Sequence, residues 1–238
     1  MKAIILAAGH GSRLLPLTLS RPKCLVEVGG RAILDHQLDA VAQAGFAGAV
    51  IVGGYRIDQV ADHLASRHGG VATDLVFNPF WSSANSIGSV WAARAHLQDP
   101  FALMNGDTLF DAGILREAVD RARTGVSLVV EPLVEPGLDD MLVEADGDRV
   151  VTVGKHMPGH TPTDRSLGLI LSAGGTIYDQ ALRAVIGEED GIHAYHHAVV
   201  RHVAQGAGVT AIRIDRALHW QEIDRPEDID LWQREHGA

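Results

Sequence analysis

The sequence predicts an α/β fold with a doubly wound, mostly parallel sheet, and three observations predict it. Short apolar runs at 2–7, 48–53, 71–77 and 101–104 each have the length of a strand. Helix-like stretches at 33–44, 56–67, 86–97 and 111–123 alternate with them, the order in which crossover helices cover both faces of a parallel sheet. A glycine-rich turn follows the first run, and ligands of open α/β sheets bind outside the carboxyl ends of the strands.

Taken in order, Lys2 to Ala8 is an apolar run of one buried strand, and the glycines behind it let the main chain turn tightly and present N–H groups to an anion. The stretch Leu6-Ala7-Ala8-Gly9-His10-Gly11-Ser12-Arg13-Leu14 continues through Pro16-Leu17 to Arg21-Pro22-Lys23, so Arg13 and Lys23 add two full charges. A lone G-x-G is usually a plain turn, and loop cations are usually solvated. Strand, loop, arginine, proline and Pro-Lys in that order within the first 23 residues point instead to a triphosphate site. Gly9-x-Gly11-x-x-Leu14 lacks the third glycine of a dinucleotide fingerprint, and the chain has no G-x-x-x-x-G-K-S/T run.

Further along, Phe101 to Asp107 reads as a buried strand ending in Gly106-Asp107, which sets a carboxylate at the strand's carboxyl edge. Between Gly125 and Leu171 the period shortens to β-like runs, Val126–Val130, Met141–Glu144, Val150–Val153 and Leu167–Leu171, separated by turns rich in Pro, Gly and Asp. A small β-rich insert is expected there. Helices near 173–186 and 193–205, a strand at 209–214 and a last helix from Pro226, which suits a first helical turn, complete the chain.

With 46% hydrophobic and 21% charged residues, 238 residues bury a full core as one domain. The formal charge of −10 opposes a polyphosphate backbone, so nucleic acid is not an expected partner. No apolar run approaches the roughly 20 residues of a membrane span, and the N-terminus reads as a strand rather than a secretory leader, so a cytoplasmic protein without a membrane partner is expected. Cys24 stands alone, which excludes an intrachain disulfide and a thiolate zinc cluster. A packed, inert core cysteine is expected.

The N-terminal segment resembles the signature L-A-A-G-x-G-x-R-L/M-x-P-L-T, followed by P-K, of the nucleotidyltransferases that activate sugar phosphates and phosphocholine. The resemblance implies a Rossmann-like fold of the nucleotide-diphospho-sugar transferase type and an enzyme that joins a nucleotide to a phosphorylated acceptor, releasing pyrophosphate. It implies that Leu6, Ala7, Ala8, Gly9, Gly11 and Ser12 hold the nucleoside triphosphate, that Arg13 contacts its phosphates, and that Lys23 reaches the α-phosphate or the incoming phosphate. One domain over 1–238 then divides into a nucleotide-binding part at about 1–124 and an acceptor-binding, metal-completing part at 125–238.

The same resemblance implies Mg²⁺ held between the aspartate of Gly106-Asp107 and a second aspartate near the C-terminus, here Asp224, with Gly106 beside the nucleotide. Mg²⁺ prefers oxygen ligands and commonly uses one or two carboxylates plus substrate phosphates. Taken alone, Asp107 also suits a turn and Asp224 a helix cap, while Asp228 suits the first turn of the last helix. His193, His196 and His197 crowd together, but without H-E-x-x-H the segment reads as part of a surface helix.

The block Asn78-Pro79-Phe80-Trp81, then Asn85-Ser86-Ile87-Gly88-Ser89-Val90, resembles the N-P-x-Y/W and N-S/N-I-x-S-L/V segment of phosphocholine cytidylyltransferase-like enzymes rather than the Q-x-x-x-x-G-L/T-A segment of classical sugar-1-phosphate uridylyl- and thymidylyltransferases. CTP is the expected nucleotide, with Asn85, Ser86 and Ser89 at the base, although helix capping alone also accounts for Asn85 or Ser86. Downstream, Asp139-Asp140-Met141, Val153-Gly154-Lys155 and Ser166-Leu167-Gly168 continue the resemblance over nearly the whole chain, and it implies a phosphate contact for Lys155. For an acceptor bearing an amine or quaternary ammonium, Trp81 and Tyr195 offer aromatic faces and Asp139, Asp140 and Glu222 offer charge. Tyr195-His196-His197 stands where the family pattern often carries an acidic pair, so a phosphonate or aminoalkyl phosphate suits as well as phosphocholine. A sugar-1-phosphate nucleotidyltransferase using UTP, dTTP or GTP is the alternative, followed by a non-catalytic nucleotide-sensing subunit, and the oligomeric state stays open, a homodimer being one option.

Overall fold

The fold is that of a computed structural model describing residues 1–137, 139–215 and 217–237. From the N-terminus, β1 (Lys2–Ala7) leads through the loop to a hairpin, β2 (Glu27–Val28) and β3 (Arg31–Ala32), then α1 (Ile33–Gln43), β4 (Ala49–Gly53), α2 (Ile57–Ser66) and β5 (Thr73–Phe77). Next come α3 (Ser86–Ala92), β6 (Phe101–Asn105), β7 (Thr108–Phe110), α4 (Ala112–Arg121), β8 (Val126–Pro132), β9 (Leu142–Asp146), β10 (Arg149–Gly154) and β11 (Asp164–Ser172). The chain closes with α5 (Ile177–Ile186), α6 (His197–Gln205), β12 (Val209–Arg213), β13 (Trp220–Glu222) and α7 (Pro226–His236).

One nine-stranded sheet, in the order β5-β4-β1-β6-β11-β8-β12-β10-β9, organises the molecule. Strands β5, β4, β1 and β6 pair in parallel, as do β8 and β12, while β11 runs antiparallel between β6 and β8. The expected β-rich insert therefore extends the main sheet instead of standing apart from it. The reason lies in β11: Leu167 to Leu171 are buried on both faces, and such a strand needs strand neighbours on either side.

Alternation along β1 sends Ile4 to one face and Ile5 to the other, so two cores form. Ile4, Val50, Phe101, Leu128 and Ile170 pack under Ile87 of α3, Leu182 of α5 and Val199 of α6. Ile5, Ile51, Met104, Leu169 and Ile212 pack under Leu34 and Leu38 of α1 and Ile114 of α4. Helices thus cover both faces, as the alternation predicts. Cys24 lies in the second core, and burial pushes its thiol up to about 12, which makes it inert. No helix among the described residues is long and apolar enough to cross a membrane.

Several boundaries differ from expectation, α5 beginning at Ile177 and β11 at Asp164 among them. Helix α3 stops at Ala92 and a separate 3₁₀ turn, Arg94–His96, follows; α6 begins only at His197, after a 3₁₀ turn at Gly191–His193.

Candidate active site

The carboxyl end of β1 opens into the glycine loop, and the cations behind it are fixed by two 3₁₀ turns, Ser12–Leu14 for Arg13 and Lys23–Leu25 for Lys23. Gly11 has φ +70° and lies against the Lys23 stem: a Cβ added there would sit 2.8 Å from Lys23 Cβ. Its carbonyl accepts the Thr18 hydroxyl at 2.9 Å, which pins the loop. Gly11→Ala is therefore expected to strain the left-handed backbone and displace the lysine together. Turnover should fall at least about tenfold at saturating substrate, with a loss of folding stability of about 1–3 kcal/mol; unchanged kinetics would show that the lysine's position is not set by this glycine.

Asp107 and Asp224 are far apart in sequence and meet through a two-stranded ribbon. β7 begins directly after Asp107 and β13 ends at Glu222, and they pair antiparallel with Thr108 opposite Glu222. The Ile223 N–H donates to the Asp107 carbonyl at 2.8 Å and extends the pairing. Beyond it, Asp228 Oδ2 accepts the N–H groups of Asp224 and Arg225 at 2.8 and 2.7 Å, closing the capping box of α7. Asp228 is thus the capping residue, and the Asp224 carboxylate is left to the site.

Lys23 Nζ lies 2.6 Å from both Asp107 Oδ2 and Asp224 Oδ1. Burial alone would lower the Lys23 pKa, but Asp107 and Asp224 overcome it and raise the ammonium above its ordinary value. Arg13 bridges the other oxygen of Asp224 at 2.8 Å to Asp139 at 2.6 Å, and Asp139 also pairs with Lys155 at 3.2 Å. Glu222 faces the same space; the protein packed around it, and then the charge of Asp107 with that of Asp224, push its carboxyl up to about 7 against the pull of Lys23. Two carboxylates converging on one ammonium, with a third nearby, form an all-oxygen donor set that fits a hard divalent cation. Among the described residues no group of three or more His, Cys, Asp or Glu side chains is arranged to hold a metal, so remaining ligands must come from substrate or water.

Arg13, Asp107, Asp139, Lys155, Glu222 and Asp224 border a cavity of about 380 Å³ over the carboxyl ends of β1 and β6, whereas Lys23, 11% exposed, lies behind the two carboxylates and does not line it. Leu6, Ala8, Gly9, Arg13, Trp81, Asn85, Ser86, Ser89, Gly106, Asp107, Asp139, Asp140, Lys155, Tyr195, Glu222 and Asp224 all line it, so sequence-chosen residues from both parts of the chain share one space. Three expected nucleotide contacts do not line it. Ala7 is buried in the sheet core, Ser12 is exposed on its 3₁₀ turn, and Gly11 serves as the seat of Lys23. Gly106 has a steric reason beyond ligand contact, since any Cβ there would strike the Leu6 carbonyl oxygen.

On one wall, Asn85 begins α3 without a side-chain cap, and its amide donates to the His193 carbonyl. Ser86 Oγ accepts the His196 N–H at 3.0 Å, and Ser89 Oγ accepts from buried Asn78 at 3.1 Å. Trp81 packs on Gly54 and leans on Tyr55 with ring centres 5.3 Å apart. On the other wall, Lys155 lies 5.0 Å from the centre of the Tyr195 ring. Asp139 faces the cavity with its oxygens engaged by Arg13, Lys155 and Arg225, the last at 3.8 Å. Asp140 accepts the Gly137 N–H at 2.7 Å and lies 3.5 Å from Arg165.

The histidine segment corrects an expectation. His196 and His197 are 2% and 4% exposed and line the cavity, while His193 is on the surface. Asn78, Asn105, Ser166 and Gly168 also line it and went unassigned in the sequence; Trp220, one of the aromatic faces the sequence offers for a cationic acceptor, lines it as well. Gly168, at φ +71° in an irregular stretch of β11 and hard against Asn105, is the one of these that a G inside an apolar strand signals.

The MobA-like NTP transferase domain family matches residues 3–157, more than half of the chain and all of the glycine-loop and Asp107 machinery. The chain belongs to this nucleotidyltransferase family. It is 30% identical over 96% of its length to the CMP-5'-(3-aminopropyl)phosphonate synthase of Streptomyces rubellomurinus, of which it spans only 37%. It is 28% identical over 97% of its length to a UTP:glucose-1-phosphate uridylyltransferase of Haloferax volcanii, covering 94% of that enzyme. The solved CTP:phosphocholine cytidylyltransferase of Streptococcus pneumoniae shares the fold, with a TM-score of 0.76, 22% identity and coverage of 99% and 98% of the two chains. This nucleotidyltransferase family binds a nucleoside triphosphate and a phosphorylated acceptor and generally uses a divalent metal, so the chain is a transferase of the EC 2.7.7 type.

Proposed function

We propose that the protein is a Mg²⁺-dependent cytidylyltransferase that transfers CMP from CTP to a small acceptor bearing an amine or quaternary ammonium and a phosphate or phosphonate. The observation that carries this choice is the similarity over 96% of the chain to a synthase named for a CMP-aminoalkylphosphonate. Asn85 and Ser86, the pair expected to read the base, lie on one wall of the cavity and are bonded to the 193–196 segment. The uridylyltransferase relative, covered almost end to end, makes a sugar-1-phosphate enzyme the second reading.

In this reading an acceptor oxygen attacks the α-phosphorus in line; the new O–P bond forms as the bridge to the β-phosphate breaks, and the electron pair leaves with pyrophosphate. The nucleophile is already an anion, so no general base is needed, and catalysis consists of alignment and charge neutralisation. Mg²⁺ held by Asp107 and Asp224 would draw charge from the triphosphate oxygens. Lys23, released from those carboxylates, meets the α-phosphate or the incoming oxygen. Arg13 neutralises the leaving pyrophosphate while Asp224 and Asp139 hold its guanidinium in place, and Lys155 takes the acceptor's phosphoryl charge.

Pyrophosphate release across four nucleoside triphosphates, paired with phosphocholine, aminoalkyl phosphonates and sugar 1-phosphates, tests the proposal. CTP with a phosphorylated or phosphonylated amine is expected to give the highest kcat/KM. A clear preference for UTP, GTP or dTTP with a neutral sugar 1-phosphate would replace it with the second reading.

A further inference from the structure

Helix α1 is tied to both turns of the charge cluster. The Ile33 N–H at its start donates at 3.0 Å to the Val26 carbonyl, just after the Lys23–Leu25 turn, and one helical turn on Gln37 meets the segment that carries Asp107. Gln37 is wholly buried, and its side-chain nitrogen lies 2.7 Å from the Asn105 carbonyl oxygen and 2.8 Å from that of Thr108. Both partners only accept, so the group that meets them is the amide NH₂, with one hydrogen for each carbonyl. The two bonds straddle Gly106 and Asp107.

The path of the backbone explains why this segment takes a donor from a helix. The Asp107 carbonyl accepts the Ile223 N–H at 2.8 Å, and along a strand of an antiparallel pair successive carbonyls point to opposite sides. The Thr108 carbonyl therefore faces away from β13, on a ribbon of only two strands among the described residues. Gln37 stands where a third strand would otherwise pair. Ile223 thus holds the main chain around Asp107 from one side and Gln37 from the other, while the Leu6 carbonyl oxygen closes the space at Gly106. The turn so held delivers the Asp107 carboxylate 2.6 Å from Lys23 Nζ.

We propose that Gln37 is a positioning residue: by holding the Asn105 and Thr108 carbonyls, its amide sets the Asp107 carboxylate where it can share a divalent cation with Asp224. Outer groups that orient the ligands of a metal commonly carry about 10–100-fold in metal affinity or activity although they never touch the metal. The inference rests on Asp107 serving the metal proposed above, though not on the identity of the base or of the acceptor.

Hydrogen exchange followed by nuclear magnetic resonance tests it first on the unaltered chain, where both Gln37 side-chain amide hydrogens should exchange slowly; exchange as fast as in an exposed glutamine would overturn the inference. Gln37→Met then keeps the length of the side chain and loses both donors, while Gln37→Glu keeps its shape and, as the neutral acid that burial favours, one donor. Val41→Ala, one turn along the same helix and also buried, is the control for lost packing. In Gln37→Met the Ile223 N–H, which reports the Asp107 carbonyl, should exchange at least about tenfold faster than in Val41→Ala. In steady-state assays with CTP and 3-aminopropylphosphonate or phosphocholine, kcat should fall about tenfold and the magnesium concentration for half-maximal kcat rise about tenfold, with the acceptor KM within about twofold. Gln37→Glu should lie between the parent and Gln37→Met, and it decides by the same readings should Gln37→Met not fold. A role in folding alone would give the Gln37 variants the kinetics and magnesium requirement of Val41→Ala; that result, or Ile223 exchange no faster than in the control, would overturn the inference. If Ile223 exchange quickens but no triphosphate and acceptor release pyrophosphate even in the parent, the clamp on Asp107 stands and the proposed activity fails.

Discussion

Asp107→Asn is expected to lower turnover by about 10²–10³-fold and leave the protein folded, because a neutral amide keeps the shape of the carboxylate but not its charge. In the structure Asp107 is one of two carboxylates sharing the Lys23 ammonium, with a side chain about one-quarter exposed, so the fold depends on it little. Asp224→Asn should behave alike, since it closes the same ion pair and also holds Arg13. Asp228→Asn is the internal control: its amide oxygen can still accept the Asp224 N–H, so both site carboxylates remain while the cap of α7 weakens by about 1 kcal/mol. Turnover measured beside melting temperature separates the cases. An Asp107→Asn variant with parental turnover would remove this carboxylate from the chemistry.

Lys23→Ala is expected to have an effect of similar size by the opposite route. Among the described residues its ammonium is the one positive charge paired with both Asp107 and Asp224, and in the proposed mechanism the transferred phosphoryl group meets it when charge builds on the leaving oxygens. Turnover should fall about 10²–10³-fold. The apparent affinity for the divalent metal should rise at the same time, because the carboxylates lose the cation that competes for them. Lys23→Arg should not rescue, since the stem must pass closely over Gly11 and the longer, planar guanidinium does not fit the place of a compact ammonium. A magnesium titration of kcat reads both effects, and a variant with lower turnover but weaker metal affinity would contradict the competition.

The alternation of runs and the glycine loop were legible because each is local: β1, β4, β5 and β6 are apolar runs with turns at their ends, and Gly9 to Lys23 is one continuous segment. Asp107 was legible as a carboxylate at the edge of a strand, but its partnership with Asp224 only through resemblance. What joins them is the β7–β13 ribbon, three residues on each side, too short for any periodicity to show. Position in the sheet was equally hidden, since the apolar run of β11 reads the same in a small insert as between β6 and β8. His196 and His197 were misplaced for a related reason: polar side chains beside a helix start read as surface, and only the hydroxyls of Ser86 and Ser166, distant in sequence, make their burial tolerable. The pairing of Asp139 with Arg13 was hidden as well, because the two are 126 residues apart.

The central claim is that one nucleotide, and not a terminal phosphoryl group, is transferred at the Lys23, Asp107 and Asp224 cluster. CTP labelled in parallel at the α- or the γ-phosphorus, incubated with Mg²⁺ and 3-aminopropylphosphonate or phosphocholine, tests it most directly. The α-label is expected in the acceptor product and the γ-label in pyrophosphate, with both transfers abolished by chelator and by Asp107→Asn. Label from the γ-position in the acceptor product, or α-label transfer that persists in chelator, would contradict the account.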